Sequence, residues 1–232
     1  VPFSGDTVNS TSLFGSINAS DSAASNGDTI EVSAGTYDED GTLVVATDNI
    51  SVDGAGETGE DATIIENDVT LNSSTSTTLT NARVNGSITA VEDSNPDATV
   101  TVDSVTLPGS NVTIEQASDV TVQSVTFEDA GTSAVNISTS GSTSVLVEDV
   151  TANNLTAGTG IRVTGVGSND VTIQNNDING NVTATDGPDG INVTSIDTTA
   201  GSDADINNNS VTTIGNGTAI AVAESSGGSD GT

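Results

Sequence analysis

The stretch SNGDTIEVSAGTYDEDGTLVVATDNISVDGAG, residues Ser25 to Gly56, places apolar residues two apart three times. These positions are Ile30 and Val32, Leu43 and Val45, and Ile50 and Val52. A period of two is typical of strands that bury one face. Gly, Asp and Asn between the repeats are typical of turns. The stretch therefore predicts short strands that turn around a shared core.

The same pattern returns along the chain in two series whose members lie about 20 to 33 residues apart, as in proteins built from stacked repeats. The first series passes through Val32, Val52, Leu79, Val102, Val122, Val147, Ile173 and Ile206. The second passes through Val45, Ile65, Ile88, Ile114, Ile137, Val163, Val193 and Val222. Two such strands and a shorter third in each repeat predict a parallel β-helix, in which each strand pairs with its equivalents one coil above and below. About eight coils at ~4.8 Å each give a rod of about 40 Å.

The coil corners carry Asn pairs and triplets. Asn175 and Asn176, and residues 207–209, directly follow inward strands, where the chain must bend. Asn tolerates the left-handed backbone conformation that such bends require. The longest loops, around TDGPDG (residues 185–190) and DTTAGSD (residues 197–203), are predicted to project outward.

The composition is strongly acidic. Thirty-three Asp and Glu residues oppose two basic residues, Arg83 and Arg162, which gives a formal net charge of −31. Nucleic acid is excluded as a partner because phosphate binding needs a basic face. Charge repulsion is screened in molar salt, where the Debye length falls to about 3 Å, so the composition predicts a halophile protein. Disorder is the other class with such a composition, but the periodic Val and Ile oppose it.

Cysteine content and apolar segments bear on the cellular compartment of the protein, and the sequence pattern also predicts its domain boundaries. The chain has no Cys and hence no disulfide framework or thiolate metal site, and no segment reaches the ~20 apolar residues of a membrane span. A start at Val1 fits a processed, exported protein and equally a trimmed chain. We predict an N-terminal segment with a capping helix over residues 1–27, the β-helix over 28–224 and a flexible Gly/Ser/Asp tail over 225–232.

Residues 13–65, LFGSINASDSAASNGDTIEVSAGTYDEDGTLVVATDNISVDGAGETGEDATII, resemble the start of the right-handed, pectin-lyase-like β-helix superfamily. That superfamily includes archaeal surface proteins with copper-binding-protein-like repeats. The resemblance rests on a short helix before Gly-Asp-Thr-Ile, a Gly-Thr-Tyr turn and an Ile-x-x-x-Gly-x-Gly stretch. It implies that a helix with Leu13, Phe14, Ile17 and Ala24 on one face plugs the first end of the coil. With the crossover rule, it implies an all-β, right-handed, single-stranded parallel β-helix.

The enzymes of this superfamily indicate which residue types catalysis would require. They use Asp clusters that hold calcium with an Arg or Lys base, or paired Asp residues with His and an Arg-Lys pair. Here Lys and His are missing. Arg162 lies between inward Ile161 and Val163 and is expected to point outward, stacked between Asn136 and Asn192. Arg83 follows a turn-like Asn. We therefore predict no catalytic residues, although an accidental carboxylate pair at about 6.5–9.5 Å stays open.

The two kinds of ligand to consider are divalent cations and sugars. Acidic turns offer oxygen ligands for structural calcium or magnesium at Asp38, Asp40, Asp186 and Asp189, against the alternative of solvated acidic turns, and no other cofactor is expected. Sugar binding normally uses Trp or Tyr, but the chain has no Trp and one Tyr, Tyr37. Phe3, Phe14 and Phe127 are expected in the core or cap. A carbohydrate-binding adhesin therefore remains the alternative function.

The sequence also predicts N-glycan sites and assembly of the chain with further copies. About twelve Asn-x-Ser/Thr sequons are present, of which Asn72, Asn85, Asn181 and Asn216 are the predicted N-glycan sites. The last apolar strand, with Ile220 and Val222, continues into the tail without a capping pattern. Repeat proteins normally need a polar terminal cap. We therefore predict an extracellular, non-catalytic surface protein of a halophilic archaeon that assembles into a homopolymer, with an adhesin and then a polysaccharide lyase or hydrolase as alternatives.

Overall fold

The computed structural model describes residues 7–9, 16–72, 76–91, 98–138, 144–165, 170–180, 189–196, 204–212 and 217–224. In this part of the chain, one helix, α1 (Ile17–Ala23), accompanies twenty-two strands. Every strand pairing is parallel. The strands stack in three columns, so the predicted all-β parallel β-helix is confirmed. Its right-handedness stays a prediction of the crossover rule.

The three columns are defined by the pairing. Column 1 contains β1 (Thr7–Asn9), β2 (Thr29–Val32), β5 (Ile50–Gly54), the first part of β8 (Ser76–Val84) and of β10 (Thr99–Leu107), β12 (Asp119–Gln123), β15 (Ser144–Glu148), β17 (Val171–Gln174) and β20 (Ala204–Asn207). Column 2 contains β3 (Gly35–Tyr37), β6 (Thr63–Ile65), the later parts of β8 and β10, β13 (Thr126–Phe127), the start of β16 (Thr151–Thr164), β18 (Asp177–Gly180) and β21 (Ser210–Thr212). Column 3 contains β4 (Leu43–Val45), β7 (Val69–Leu71), β9 (Ile88–Val91), β11 (Val112–Glu115), β14 (Gly131–Ser138), the end of β16, β19 (Asp189–Ile196) and β22 (Ile220–Glu224).

The described strands complete eight coils, numbered from coil 1 (β2 to β4) to coil 8 (β20 to β22), and β1 lies below coil 1. Column 2 has the shorter strands, as predicted for the third strand of each repeat. The sequence did not predict β1. Leu13 and Phe14 lie outside the described residues, and so do most of the two long loops expected to project outward. None of the described helical structure is long and apolar enough to cross a membrane.

The predicted series match the columns, with register corrections in the first coils. The first series is column 1 from Val52 to Ile206, but the residue that stacks on Val52 is Ile30, not Val32. The second series is column 3 from Ile114 to Val222. Ile65 belongs instead to column 2. Ile88 stacks two residues before the predicted position. A shift of two keeps every side chain on its face, so alternation alone cannot detect it.

The core fills the bore of the coil. Inward residues of all three columns, mostly Val, Ile and Leu, form one continuous cluster. Each fully buried side chain of this kind contributes about 1.5–3 kcal/mol of hydrophobic stabilisation. Phe127 is fully buried, as predicted, whereas Phe3 and Phe14 lie outside the described residues. The core therefore depends on many equivalent aliphatic contacts.

Each corner between columns 1 and 2 uses a left-handed residue from coil 3 to coil 8. The φ angles are between 52° and 58°, at Asn81, Ser104, Ser124, Asp149, Asn175 and Asn208. This confirms the predicted role of the Asn residues at the bends. Short polar residues suit this conformation because their side chains can bond locally to the backbone.

The residue after each corner points into the bore, and in coil 7 it is Asn176. Its side chain is buried. Its Oδ1 accepts a hydrogen bond from the Val150 backbone N–H at 2.8 Å. Its Nδ2 donates to the Val147 carbonyl at 3.1 Å and to Asn209 Oδ1 at 2.9 Å. The amide thus satisfies backbone groups of coil 6 and joins coil 7 to coil 8.

Asn176→Ala is expected to lower the free energy of unfolding by about 1–3 kcal/mol, because it leaves the buried backbone N–H of Val150 without its partner. Asn175→Gly at the neighbouring exposed corner is the matched control. Its φ of 58° suits glycine, so we expect a change within about 1 kcal/mol. Urea unfolding in concentrated salt, followed by circular dichroism, measures both. Equal effects of the two substitutions would contradict the role assigned to Asn176.

Candidate functional site

The upper end of the coil carries the two most exposed large apolar residues of the described surface. Val222 is 51% exposed and Ile220 is 46% exposed. Both stack on buried column 3 residues of coil 7 and so belong to the inward set. Ile206 and Val211, the inward residues of the other two columns, are only half-buried. In coil 8 all three columns therefore present core-type side chains that no described residue covers.

The lower end is closed differently, by α1. Ile17 is fully buried against the first coil. The outer edge of β4 would otherwise leave backbone N–H groups unpaired, and side chains of α1 accept from them. Asn18 Oδ1 accepts from Val44 at 3.0 Å, and Asp21 accepts from Ala46 at 3.2 Å and Thr47 at 3.3 Å. This confirms a helix at the lower end, and shows that polar side chains seal the strand edge there.

Glu39, which was not among the predicted site residues, accepts a hydrogen bond from the first residue of α1. Its Oε1 accepts from the Ile17 backbone N–H at 2.6 Å, and its side chain is buried. It lies between Asp38 and Asp40 in the acidic turn that was considered as a cation site. Glu39, the central residue of that turn, is therefore the buried partner of the α1 N-terminus.

The remaining candidate cation ligands are dispersed. Asp38 Oδ1 accepts from Asn67 Nδ2 at 3.3 Å, and Asp189 Oδ1 accepts from the Thr218 backbone N–H at 2.7 Å. Asp40 is exposed, and Asp186 lies outside the described residues. Over the described ranges, no three His, Cys, Asp or Glu residues are arranged to hold a metal ion. The structure does not bring the three described candidates, Asp38, Asp40 and Asp189, together.

Arg83 forms the one ion pair found among the described residues. Its guanidinium donates to both carboxylate oxygens of Glu128, at 3.1 Å and 2.8 Å. Arg83 belongs to coil 3 and Glu128 to coil 5, so the pair spans the coil between them. These hydrogen bonds raise the pKa of Arg83 and lower the pKa of Glu128. A catalytic base needs a pKa near the working pH, and this contact moves the Arg83 pKa the other way.

Arg162 occupies the predicted position. It is exposed on column 3 and stacks between Asn136 and Asn192. Its Nε donates to Thr164 Oγ1 at 3.3 Å. Within the described ranges it has no carboxylate ion-pair partner. Arg162 is therefore a surface cation with only a neutral hydroxyl contact.

The predicted glycan sites differ in access. Asn72 is exposed directly after β7. Asn85 is half-buried, and its Nδ2, the atom that would carry a glycan, donates to Glu66 Oε2 at 2.7 Å. A glycan at Asn85 would break that contact, so Asn72 is the more accessible of the two. Asn181 and Asn216 lie outside the described residues.

The described surface has shallow hollows and no aromatic sugar platform around them. One hollow of ≈ 260 Å³ is lined by small residues, Ser87, Gly109, Ser110, Asn111 and residues 130–133. Tyr37 is buried, and its hydroxyl donates to the Ser33 carbonyl at 3.0 Å. Tyr37 is therefore not placed to stack on a sugar ring.

Glu128 is expected to titrate below its usual pKa, and Arg83→Gln is expected to raise that pKa toward the ordinary value, because the hydrogen bonds from Arg83 are lost. The folded-state pKa lies below the unfolded one. The stabilisation by the pair is therefore complete above the unfolded pKa and is lost as pH falls through the folded pKa. NMR titration of the Glu128 carboxyl carbon in both proteins measures the shift. An unchanged Glu128 pKa in Arg83→Gln would contradict the pair.

Comparison with known proteins gives no relative: no protein-family model matches the chain, and neither a curated protein nor a solved structure matches it significantly.

Proposed function

We propose that this chain is a non-catalytic structural protein that assembles end to end into a filament, sheath or coat on the surface of a halophilic archaeon. The observation that carries the proposal is the apolar upper end of the coil, where Val222 and Ile220 are about half exposed. Association that covers these side chains gains hydrophobic stabilisation of about 25 cal/mol per Å² buried.

The difference between the two ends determines the kind of assembly. The lower end carries α1 and β1, and the upper end carries the open coil 8. A contact that joins the upper end of one copy to the lower end of the next is heterologous, and such contacts generate open filaments unless their rotation closes a ring. Residues 225–232 contain only Ser, Gly, Asp and Thr, so they offer no apolar side chains as an alternative cover.

The charge sets the conditions for assembly. A net charge of −31 on each copy opposes association in dilute salt. At about 1 M salt the Debye length is about 3 Å, which leaves the apolar contact to dominate. Export and N-glycosylation at sites such as the exposed Asn72 belong to the same proposal, since sequons are used in exported proteins.

The ion pair of Arg83 supports the non-catalytic part of the proposal, because it occupies one of the two basic groups of the chain. A monomeric carbohydrate-binding adhesin is the second candidate, supported by the hydroxyl-lined hollow around Ser110 and Asn111. A polysaccharide lyase or hydrolase is the third.

Val222→Asp is expected to abolish filaments, because it places a charge in the apolar contact. Electron microscopy and sedimentation of the wild-type and variant proteins in about 3 M salt measure assembly. Thr172→Asp, which adds the same charge on the outward side of column 1, is the control and should assemble normally. Val222→Ser is measured alongside, and circular dichroism verifies that each variant is folded.

Two results would overturn the proposal. One is a wild-type protein that stays as single rods of about eight coils at high salt and high concentration. The other is a folded Val222→Asp variant that assembles as well as the wild type. Binding of soluble polysaccharides by single rods would instead support the adhesin.

A further inference from the structure

One long face of the coil is nearly free of carboxylates. This column 3 face consists of the outward side chains of two adjacent ladders, Val44, Thr70, Thr89, Thr113, Asn136, Arg162, Asn192 and Ala221, and Val91, Glu115, Ser138, Thr164, Thr194 and Ala223. These two ladders contain one acid and one base and are otherwise made of Thr, Asn, Ser, Ala and Val. Two further acids lie at the outer ends of the column 3 strands, Asp189 at the start of β19 and Glu224 at the end of β22. The formal charge of the two ladders is zero, on a chain whose net charge is −31.

The outward side of column 1 provides the contrast within the same molecule. One of its ladders alone contains the acids Glu31, Asp53, Asp103 and Glu148. Two copies that met through column 1 would bring these carboxylates together, whereas two copies that met through column 3 would not. The charge distribution therefore favours column 3 over column 1 as the side on which copies can approach each other closely.

Exposed apolar side chains support the same surface. In the described part of the chain, four large apolar residues are exposed. Ile220 and Val222 belong to the upper end, and the other two, Val44 (40%) and Val91 (39%), lie on the column 3 face. Exposed apolar residues on a surface of low net charge are characteristic of contact surfaces.

We propose that the column 3 face is a lateral contact between two copies of this chain, related by a two-fold axis through coil 5 with the rods antiparallel. The axis runs along the strand direction at the level of Asn136 and Ser138. It places coil 4 of each copy opposite coil 6 of the other, and the overlap extends over coils 2–8. Val91 in coil 3 lies within this overlap, whereas Val44 in coil 1 lies just outside it.

The two charged residues of the face fix this orientation. Glu115 lies in coil 4 and Arg162 in coil 6, one coil on either side of the axis. The axis brings Arg162 of each copy opposite coil 4 of the other. Glu115 is then displaced by two residues along the strand, about 7 Å, which a long Arg side chain can span. The contact therefore forms two symmetric Arg162 to Glu115 ion pairs.

A parallel arrangement of the rods does not bring Arg162 and Glu115 equally close. A two-fold axis along the rod would place every coil opposite its own equivalent. Arg162 in coil 6 and Glu115 in coil 4 would then stay two coils apart, about 10 Å along the rod. The two copies of Arg162 would also lie at the same level, where like charges repel. The antiparallel arrangement brings the two opposite charges closer together.

The size of the face predicts a weak contact. Seven overlapping coils at ~4.8 Å and two outward positions per strand give about 900 Å² in total, below the range of stable dimers. The contact gains strength when it is repeated along a filament, through effective concentration. It thus extends the proposed assembly to a second direction. It depends on the outward side chains of column 3 rather than on the inward Ile220 and Val222 of the upper end, so the two proposals can fail separately.

Ser138→Cys tests the contact directly, because the chain has no cysteine of its own and Ser138 lies beside the proposed axis. A short bismaleimide with a span of about 10 Å, the spacing of two packed sheets, should link two copies. Ser144→Cys, an exposed residue at the start of β15 in column 1, is the matched control. We expect at least about tenfold more covalent dimer from Ser138→Cys. Both variants are made in the wild-type and Val222→Asp backgrounds.

Equal yields from the two cysteines would overturn the lateral contact. Strong cross-linking of Ser138→Cys in the Val222→Asp background would support it even where end-to-end filaments are lost. Filaments of the wild type without preferential Ser138→Cys cross-linking would support the end contact and reject the lateral one.

Charge reversal tests the orientation. Arg162→Glu should reduce cross-linking of Ser138→Cys about tenfold at moderate salt, because both ion pairs become repulsive. Glu115→Arg should do the same, and the double variant Arg162→Glu/Glu115→Arg should restore the wild-type yield to within about threefold. A double variant as weak as the single ones would overturn the antiparallel arrangement.

Discussion

Vertical pairing between coils is the constraint on which this structure depends. Each strand satisfies its backbone N–H and C=O groups by parallel pairing with the strands above and below. The inner coils obtain these partners by repetition, but the first and last coils cannot. The first coil uses the amide and carboxylate oxygens of Asn18 and Asp21 on α1. The last described coil leaves apolar residues exposed. The capping helix thus covers the open end of the first coil, and assembly with another copy is the cover that we propose for the last one.

The acidic composition is accommodated by the same geometry. An aliphatic bore leaves carboxylates only the outside or the cap. The buried carboxylates of the described part, Asp21, Asp28 and Glu39, all lie near α1 and the first coil. Each accepts hydrogen bonds from backbone N–H groups there. The outward strand carboxylates are concentrated on column 1 rather than column 3. A high negative charge is therefore compatible with both a sealed end and an uncharged side.

Alternation of apolar residues made the coil predictable, since it fixes which face each side chain takes. It could not fix shifts of two residues, which is why Val32 was placed where Ile30 stacks. It also could not distinguish one column from another, so Ile65 of column 2 was assigned to column 3. The apolar upper end was predictable because its residues carry the core pattern. Glu39 was not, because its contact with Ile17 joins segments whose approach only the folded coil defines. The Arg83 to Glu128 pair, two coils apart, was hidden for the same reason.

The Arg83 to Glu128 pair also bears on how such a rod would respond to mechanical load. Tension along the rod separates coils one layer at a time, because each layer is held only by its immediate neighbours. The guanidinium of coil 3 is joined to the carboxylate of coil 5, so separating either of these coils from coil 4 also breaks the pair. An exposed ion pair contributes only about 0–1 kcal/mol, so it adds a small resistance at coils 3–5 to that of the backbone ladders.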